Sequence, residues 1–488
     1  MSVPAIRVRR CNGLPVRGDG AYIVYWMTAF RRAGWNFALE RAVEHARALR
    51  KPLVVLEAVR SDHRWASERV HTFVLAGMAD NRRAFRESAV TYLPYVEPAP
   101  GAGRGLLAAL AADACVVVAD DAPVFFLPRA VGAAAARAPV LLEAVDSNGL
   151  LPLAATGRVF PTAFAFRRFL HSELPAHLAE LPAADPLRGV ELSRLASVPE
   201  TVVRGWPAVL PDEPGAVSAT LAVLPLDRSV HAVAGTPGGT AAGRARIARF
   251  VSSALEPYAE VRDHPDDDGT SGLSPYLHFG HVSAHEVFAA VARHQGWTAE
   301  RLAPRPSGKR SGWWGMGEAA EAFLDQLVTW RELGFNFAAK RDDGETYESL
   351  PPWALATLGR HASDPRPRLY PAERLEQADT HDPLWSAAQR QLLREGRIHN
   401  RLRMLWGKKI LEWSPSPREA LAVMLELNNR WALDGPDPNS ASGIMWCLGR
   451  YDRPWGPERP VFGTVRFMSS ESTSRKARVR EYLARYGA

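Results

Sequence analysis

Cysteine is scarce in this 488-residue chain: Cys11, Cys115 and Cys447 stand far apart. That excludes a disulfide framework and a zinc cluster built from cysteine alone, and no metal site is expected. Long apolar runs are also missing. Ala21–Phe30 is typical of the longest, well short of the roughly 20 residues a bilayer demands. The first dozen residues, Met1–Asn12, are Arg-rich without an apolar centre, so no secretory signal is expected. No G-x-G-x-x-G follows the first expected strand, and the GAGRG at Gly101–Gly105 lies elsewhere; a dinucleotide site is not assigned. These absences point to a reduced, cytoplasmic protein.

What is present is an ordinary globular mixture, 47% hydrophobic and 23% charged, with a length suited to two or three domains. Two features depart from the ordinary: 15 tryptophans and a net charge of +7. Residues 391–488 hold 17 Lys/Arg against 10 Asp/Glu, so the last fifth of the chain carries the whole excess. A local basic surplus suits either a polyanionic partner or a solvated basic face.

The first part of the chain alternates short β-branched strands with a helix. Ala21–Trp26, Pro52–Val59 and Cys115–Ala119 read as strands, and Phe37–Arg50 has Ala38, Leu39, Val43, Ala46 and Leu49 at helical spacing. Strand, helix and strand within some forty residues form a βαβ unit, hence a parallel sheet covered by helices. Such sheets bind ligands beyond the carboxyl ends of their strands. From about Gly205 to Gly243 the chain is rich in Pro, Gly and Ala and reads as a connector. Helical patterns follow at Gly243–Tyr258, Glu318–Lys340, Asp382–Trp413 and Pro417–Trp431. The expected organisation is an N-terminal extension 1–20, an α/β domain 21–204, a linker 205–243 and an all-helical domain 244–488.

Four segments concentrate chemistry. In DHPDDDGTSGLSPYLHFG (Asp263–Gly280), Ser274 before Pro275 predicts an N-cap and first helical residue; the free N–H groups there suit either a plain cap or an anion such as a pyrophosphate. In FLDQLVTWRELGFNF (Phe323–Phe337), Gln326 and Trp330 share a helix face, as a core tryptophan or as part of a site. In GRIHNRLRMLWGKKILEW (Gly396–Trp413), Trp406 and Trp413 lie about 10.5 Å apart along one helix, with Trp385 upstream; they serve either core packing or an electron relay. In Leu427–Met468, Asp434–Asn439 is a rigid turn, followed by Trp446 and Trp455 among Arg450, Arg453 and Arg459. That mixture suits phosphate contact with base stacking, and equally a carbohydrate or protein interface.

Together these segments resemble the photolyase/cryptochrome family, specifically the class II cyclobutane pyrimidine dimer photolyases. The resemblance rests on VYWM (Val24–Met27), SGLSPYLHFG (Ser271–Gly280), WREL-x-x-NF (Trp330–Phe337) and RM-x-W-x-KKILEW (Arg403–Trp413). It continues through LDG-x-DPN (Leu433–Asn439), GIMW (Gly443–Trp446) and DRPW (Asp452–Trp455), in order over nearly the whole chain. It implies a photolyase fold, with a Rossmann-like α/β domain followed by an all-α domain that binds FAD.

On that resemblance Thr270, Ser271, Leu273 and Ser274 contact the FAD phosphates, while Arg403, Asn428 and Asp434 face the flavin. Trp330 and Trp446 hold a flipped-out dimer, and Gln326, Met404 and Asn428 complete the catalytic group. Trp406, Trp385 and Trp413, with Tyr370 near the outer end, match an electron chain from flavin to surface. Arg453 and Arg459 are expected to contact DNA. The implied reaction is light-driven: excited reduced FAD passes one electron to the dimer, the ring opens, and the electron returns. The implied partner is DNA containing pyrimidine dimers, bound by a monomer that associates with the nucleoid. A deazaflavin antenna, as in relatives, has no identifying residue in this sequence.

The chain departs from the family pattern at several points. Gln326 stands where the family has a glutamate; glutamine keeps hydrogen bonds but supplies no proton. The usual DGRDPNGY becomes DGPDPNSAS, with Pro436, Ser440 and Ala441 replacing arginine, glycine and tyrosine. RMYW becomes RMLW at Leu405, Pro457 is inserted in the following turn, and Ser469–Ser474 replaces a loop containing Gly and Arg. These changes leave a second expectation open: a photolyase-like light receptor, or an enzyme acting on another lesion.

Overall fold

The computed structural model describes residues 2–207 and 215–487. The chain divides into two compact units that interleave in sequence. The first comprises Met1–Thr156, Glu173–Ala248 and Leu273–Val291; the second comprises Gly157–Ser172, Arg249–Gly272 and Ala292–Ala488.

The first unit is built on a six-stranded sheet: β1 (Val8–Arg10), β2 (Tyr22–Met27), β3 (Leu53–Val59), β4 (Thr91–Val96), β5 (Ala114–Asp120) and β6 (Leu142–Val145). Their order is β1-β6-β5-β2-β3-β4, with every pairing parallel except β1 against β6. Val24 of the central β2 sits opposite Val54 of β3 and Val117 of β5. Alternation sends Ile23, Tyr25, Val55 and Val116 to one face and Tyr22, Val24, Val54 and Val117 to the other, and both faces are buried. Helix α1 (Phe37–Leu49) covers the first face; α3 (Leu106–Ala112) and α4 (Leu127–Ala135) cover the second. Helix α2 (Glu68–Arg86) packs Val74, Leu75 and Met78 in a third cluster. The three expected strands and the expected helix are all present, the helix closing at Arg50 in the left-handed region (φ 53).

Two expectations are corrected. Residues 1–20 are no separate extension: β1 is an edge strand of the sheet, and the buried Arg7 beside it donates to the Leu150 carbonyl at 2.8 Å. The stretch 205–243 is not a plain connector, because Ala216–Val223 is helical and Leu221, Leu224 and Leu226 pack with Leu75 and Met78 of α2. Apolar spacing outweighed the Pro and Gly around it. Residues 208–214 of that stretch lie outside the described residues.

The second unit is helical. It contains α5 (Ala163–Glu173), α6 (Glu318–Leu324) running through a wide π turn, Asp325–Trp330, into α7 (Arg331–Lys340), then α8 (Pro383–Glu395), α9 (Asn400–Trp413), α10 (Pro417–Trp431) and α11 (Pro438–Cys447). The helical pattern expected across Asp382–Trp413 is two helices, divided at Gly396 with φ 63. Helices α8–α11 share one core through Leu392, Leu402, Ile410, Leu421, Met424 and Ile444. No helix among the described residues is long and apolar enough to cross a membrane.

Candidate functional site

Three residues from two helices and a turn converge in the second unit. Arg403 projects from the second turn of α9, Asn428 from the last turn of α10, and Asp434 from the turn that leads to α11. Arg403 Nη2 lies 3.5 Å from Asp434 Oδ1, and its Nη1 donates to Ser440 Oγ at 2.8 Å and to Asn428 Oδ1 at 3.3 Å. Ser440 Oγ donates onward to Asn428 Oδ1 at 3.2 Å. The Asn428 amide N–H groups go to the Gly435 carbonyl and to Asn429 Oδ1, both at 2.9 Å. Because the guanidinium only donates and the carbonyl only accepts, the network itself fixes which way this amide points. Gly435 is required here, since a Cβ would stand 2.7 Å from Asn429 Cα. Sequence reading marked Ser440 as a departure without seeing that it joins Arg403 to Asn428.

One turn before Arg403, His399 forms the N-cap position of α9 and is 2% exposed. Neither ring nitrogen has a partner among the described residues, and burial pushes its pKa down to about 4. His399 was not singled out from sequence, although HNR within GRIHNRLRM placed it beside Arg403. Asp268 is gripped by Arg397 through two bonds of 2.7 and 2.8 Å, and Thr270 Oγ1 lies 3.5 Å from Asp268 Oδ1. The chain's end fastens the same segment: Asp266 accepts the N–H groups of Arg480 and Tyr482 at 3.0 and 2.8 Å, and Arg478 N donates to His264 Nδ1 at 3.2 Å.

Thr270 and Ser271 close that segment of the second unit, whereas Leu273 and Ser274 open the last segment of the first. Ser274 is the first residue of a five-residue helix whose N-cap is Leu273, and no side chain caps it. The expected serine N-cap is therefore shifted by one residue. Leu273 is buried, which leaves its backbone for any polar contact.

Trp330, at the end of the π turn, stacks on Trp446 of α11, with ring centroids 4.5 Å apart and planes 19° from parallel. Both indoles are half-buried. Gly334 brings α7 against α11: a Cβ there would sit 2.8 Å from the Pro438 carbonyl oxygen and 2.9 Å from Ser442 Oγ. Gln326 is half-buried on the same π turn as Trp330. Met404 lies against Cys447, sulfur to sulfur 4.0 Å.

Trp385, Trp406 and Trp413 form a chain inside the helical core. Trp385 Nε1 donates to the Trp406 carbonyl at 3.0 Å, and Trp406 Nε1 donates to the buried Gln389 Oε1 at 2.8 Å. Trp385 and Trp413 meet edge to face at 5.5 Å, and Trp413 meets Tyr370 at 5.4 Å. Tyr370 Oη lies 2.7 Å from His381 Nδ1. Trp385, Trp406 and Trp413 are each at most 2% exposed, so the end of the series nearest solvent is Tyr370 and His381. Arg453 and Arg459 are exposed, each guanidinium 4.7 Å from a ring centre, Trp455 and Phe467 respectively.

No family model matches the chain. A curated relative from Methanothermobacter thermautotrophicus, deoxyribodipyrimidine photo-lyase, is 33% identical over 484 residues, covering 99% of this chain and 98% of that protein. The chain belongs to the photolyase/cryptochrome family. Deoxyribodipyrimidine photo-lyases of Oryza sativa subsp. japonica (32% identical; 95% of this chain, 87% of that one) and Potorous tridactylus (31%; 94% and 80%) agree. Among solved structures, a class III photolyase from Agrobacterium tumefaciens matches with TM-score 0.68 at 17% identity, covering 96% of this chain and 86% of that one. A Synechocystis cryptochrome matches with TM-score 0.64 at 14% identity, covering 95% and 88%. The photolyase/cryptochrome fold is thereby shared.

Photolyase-family chains bind FAD, and the residues of the second unit fit such a group. Unmet hydrogen-bonding capacity on a buried side chain is what a polar ligand supplies, and the two ring nitrogens of His399 present it one turn from Arg403. In the first unit a cavity of about 290 Å³ lies past the carboxyl ends of β2, β3 and β4, lined by Trp26, Arg60, Tyr95, Glu97 and Arg104. The GAGRG run contributes Gly101, Gly103 and Arg104 to this wall.

Proposed function

We propose that this chain is a class II DNA photolyase that uses light to reverse cyclobutane pyrimidine dimers. The observation that carries the reading is the stacked Trp330–Trp446 pair, assembled from two distant helices by the close contact at Gly334. Support comes from the full-length likeness to proteins named deoxyribodipyrimidine photo-lyase and, for the class, from the order of the sequence motifs. FAD, when bound and reduced, supplies a single electron on illumination.

The chain's own residues do the rest. Trp330 and Trp446 offer a flat aromatic surface to an extruded dimer, whose damaged bases stack poorly and leave the duplex at low cost. Gln326 supplies an amide to the lesion but no proton. Arg403, Asn428 and Asp434 orient the flavin, with His399 filling its hydrogen bonds from the start of α9; Thr270, Ser271, Leu273 and Ser274 are assigned to the phosphates. Trp406, Trp385, Trp413 and Tyr370 carry electrons inward when oxidised flavin must be reduced. Arg453 and Arg459 meet the DNA backbone. The cavity beyond β2–β4 is the seat assigned to an antenna such as a deazaflavin, following the rule for parallel sheets. We assign the working form as a monomer.

The test is repair of an oligonucleotide with one thymine dimer by purified, reduced protein under near-UV light, its flavin spectrum recorded on the same sample. Dimer loss in light and none in darkness is expected. Gln326 and the altered Pro436–Ala441 stretch favour a second reading, a light receptor or an enzyme for another lesion. Bound flavin without dimer repair would select that second reading, and absence of flavin would overturn both.

A further inference from the structure

Part of the basic surplus counted at the chain's end is answered by acids from other segments: Arg397 by Asp268, Arg418 by Glu348, Arg430 by Glu376 and Arg478 by Asp267. Unanswered cations are not confined to that end. Residues 157–172 and 301–316, both in the second unit, carry seven Arg or Lys and no Asp or Glu. Of these, Arg167 is committed to Asp325 in a buried two-bond ion pair of 2.8 and 3.1 Å. Arg168, Arg305, Lys309 and Arg310 are exposed and form no ion pair with any described residue.

These two segments are one surface. Gly308 N donates to His171 Nδ1 at 3.3 Å, and Arg167 Nη1 donates to the Gly308 carbonyl at 3.2 Å. A Cβ on Gly308 would lie 3.0 Å from the Phe164 ring and 3.2 Å from Arg168 Cβ. The loop bearing Lys309 and Arg310 is thus laid against the face of α5 that shows Phe164, 57% exposed. The same Arg167 ties this face to Asp325, the first residue of the π turn that ends at Trp330.

We propose that α5 and the 305–310 loop bind a nucleic-acid strand, Arg168, Lys309 and Arg310 on its phosphates and Phe164 under a base. An exposed aromatic ring among unpaired cations is the combination that holds single strands without reading their sequence. An acidic protein would match the charge but has no use for a bare ring among the cations. The proposal rests on the reading of this chain as a DNA-repair enzyme and adds a surface to it that is separate from Trp330, Trp446, Arg453 and Arg459.

The experiment measures binding of the full-length protein to an undamaged single strand and to a dimer-containing duplex, by fluorescence anisotropy across a salt series. Lys309→Gln/Arg310→Gln should flatten the dependence of log affinity on log salt by about one to two units, equally for both DNAs. Phe164→Ala should weaken single-strand binding about five- to tenfold with the salt slope unchanged. All three side chains project from the surface, and circular dichroism checks that the fold is intact. Wild-type binding with both variants unchanged overturns the surface and leaves the enzyme reading standing. Wild-type failure to bind either DNA overturns the reading and the surface together. Equal slope loss with an acidic polypeptide in place of DNA would reassign the surface to a protein partner.

Discussion

At the scale of single residues, the decisive facts concern polar groups placed out of water. Ser440 links Arg403 to Asn428, and Ser440→Ala removes both bonds without creating a clash. Its FAD dissociation constant, read from flavin fluorescence, should rise about three- to tenfold, the range one or two modest hydrogen bonds supply. Lys408 is fully buried, with Nζ donating to the Cys447 carbonyl at the end of α11 at 2.6 Å, and burial pushes its pKa down to about 8 from 10.5. Between these two values the unfolded chain holds a proton that the folded chain has released, so Lys408 makes stability rise with pH across that window. Urea unfolding at pH 8, 9 and 10 should show a steeper rise in the wild type than in Lys408→Met. Both residues stood in quoted motifs, but Arg403 and Cys447, which they bond, lie 37 and 39 residues away, beyond the reach of local spacing.

At the scale of elements, much was legible because local patterns and packing agree. The central strands were recognisable because a parallel strand buried on both faces is a continuous β-branched run. Pro417–Trp431 was bounded correctly: Ser416 caps it with a bond to Glu419 N, and Pro417 starts it. The helix Ala216–Val223 was missed because small residues around it imitate a linker, and its reason to fold, α2, is remote in sequence. Helix pairs also make testable claims. Gly334→Ala would force α7 from α11, cost about 1–3 kcal/mol of stability in thermal or urea unfolding, and weaken dimer-specific DNA binding by parting Trp330 from Trp446. In α9, Trp406→Phe should slow photoreduction of oxidised flavin at least about tenfold, as each missing step in a relay does, and spare repair by chemically reduced enzyme. Flavin absorbance during illumination with an added thiol reads the first, and unchanged bleaching would remove Trp406 from the relay.

At the scale of the whole molecule, composition was a weaker guide than placement. Net charge drew attention to the last fifth of the chain, yet four of its arginines answer acids at positions 267, 268, 348 and 376, while unanswered cations also sit at 168 and 305–310. A one-dimensional count cannot see which charges meet. The interleaving of the two units was equally hidden, since residues 157–172 and 273–291 each pack away from their sequence neighbours. Among these long-range fastenings, the last helix Arg480–Tyr486 grips the segment containing Thr270 and Ser271 through Asp266. Deleting residues 478–488 should therefore lower the flavin content of the purified protein by more than half, measured as the absorbance ratio of flavin to protein. The same grip orders events in the cell. Residues 480 and 482 are synthesised 214 and 216 positions after the Asp266 they hold, so the Asp263–Gly272 segment stays unclamped until the growing chain has passed them, and cofactor capture is a late step of synthesis.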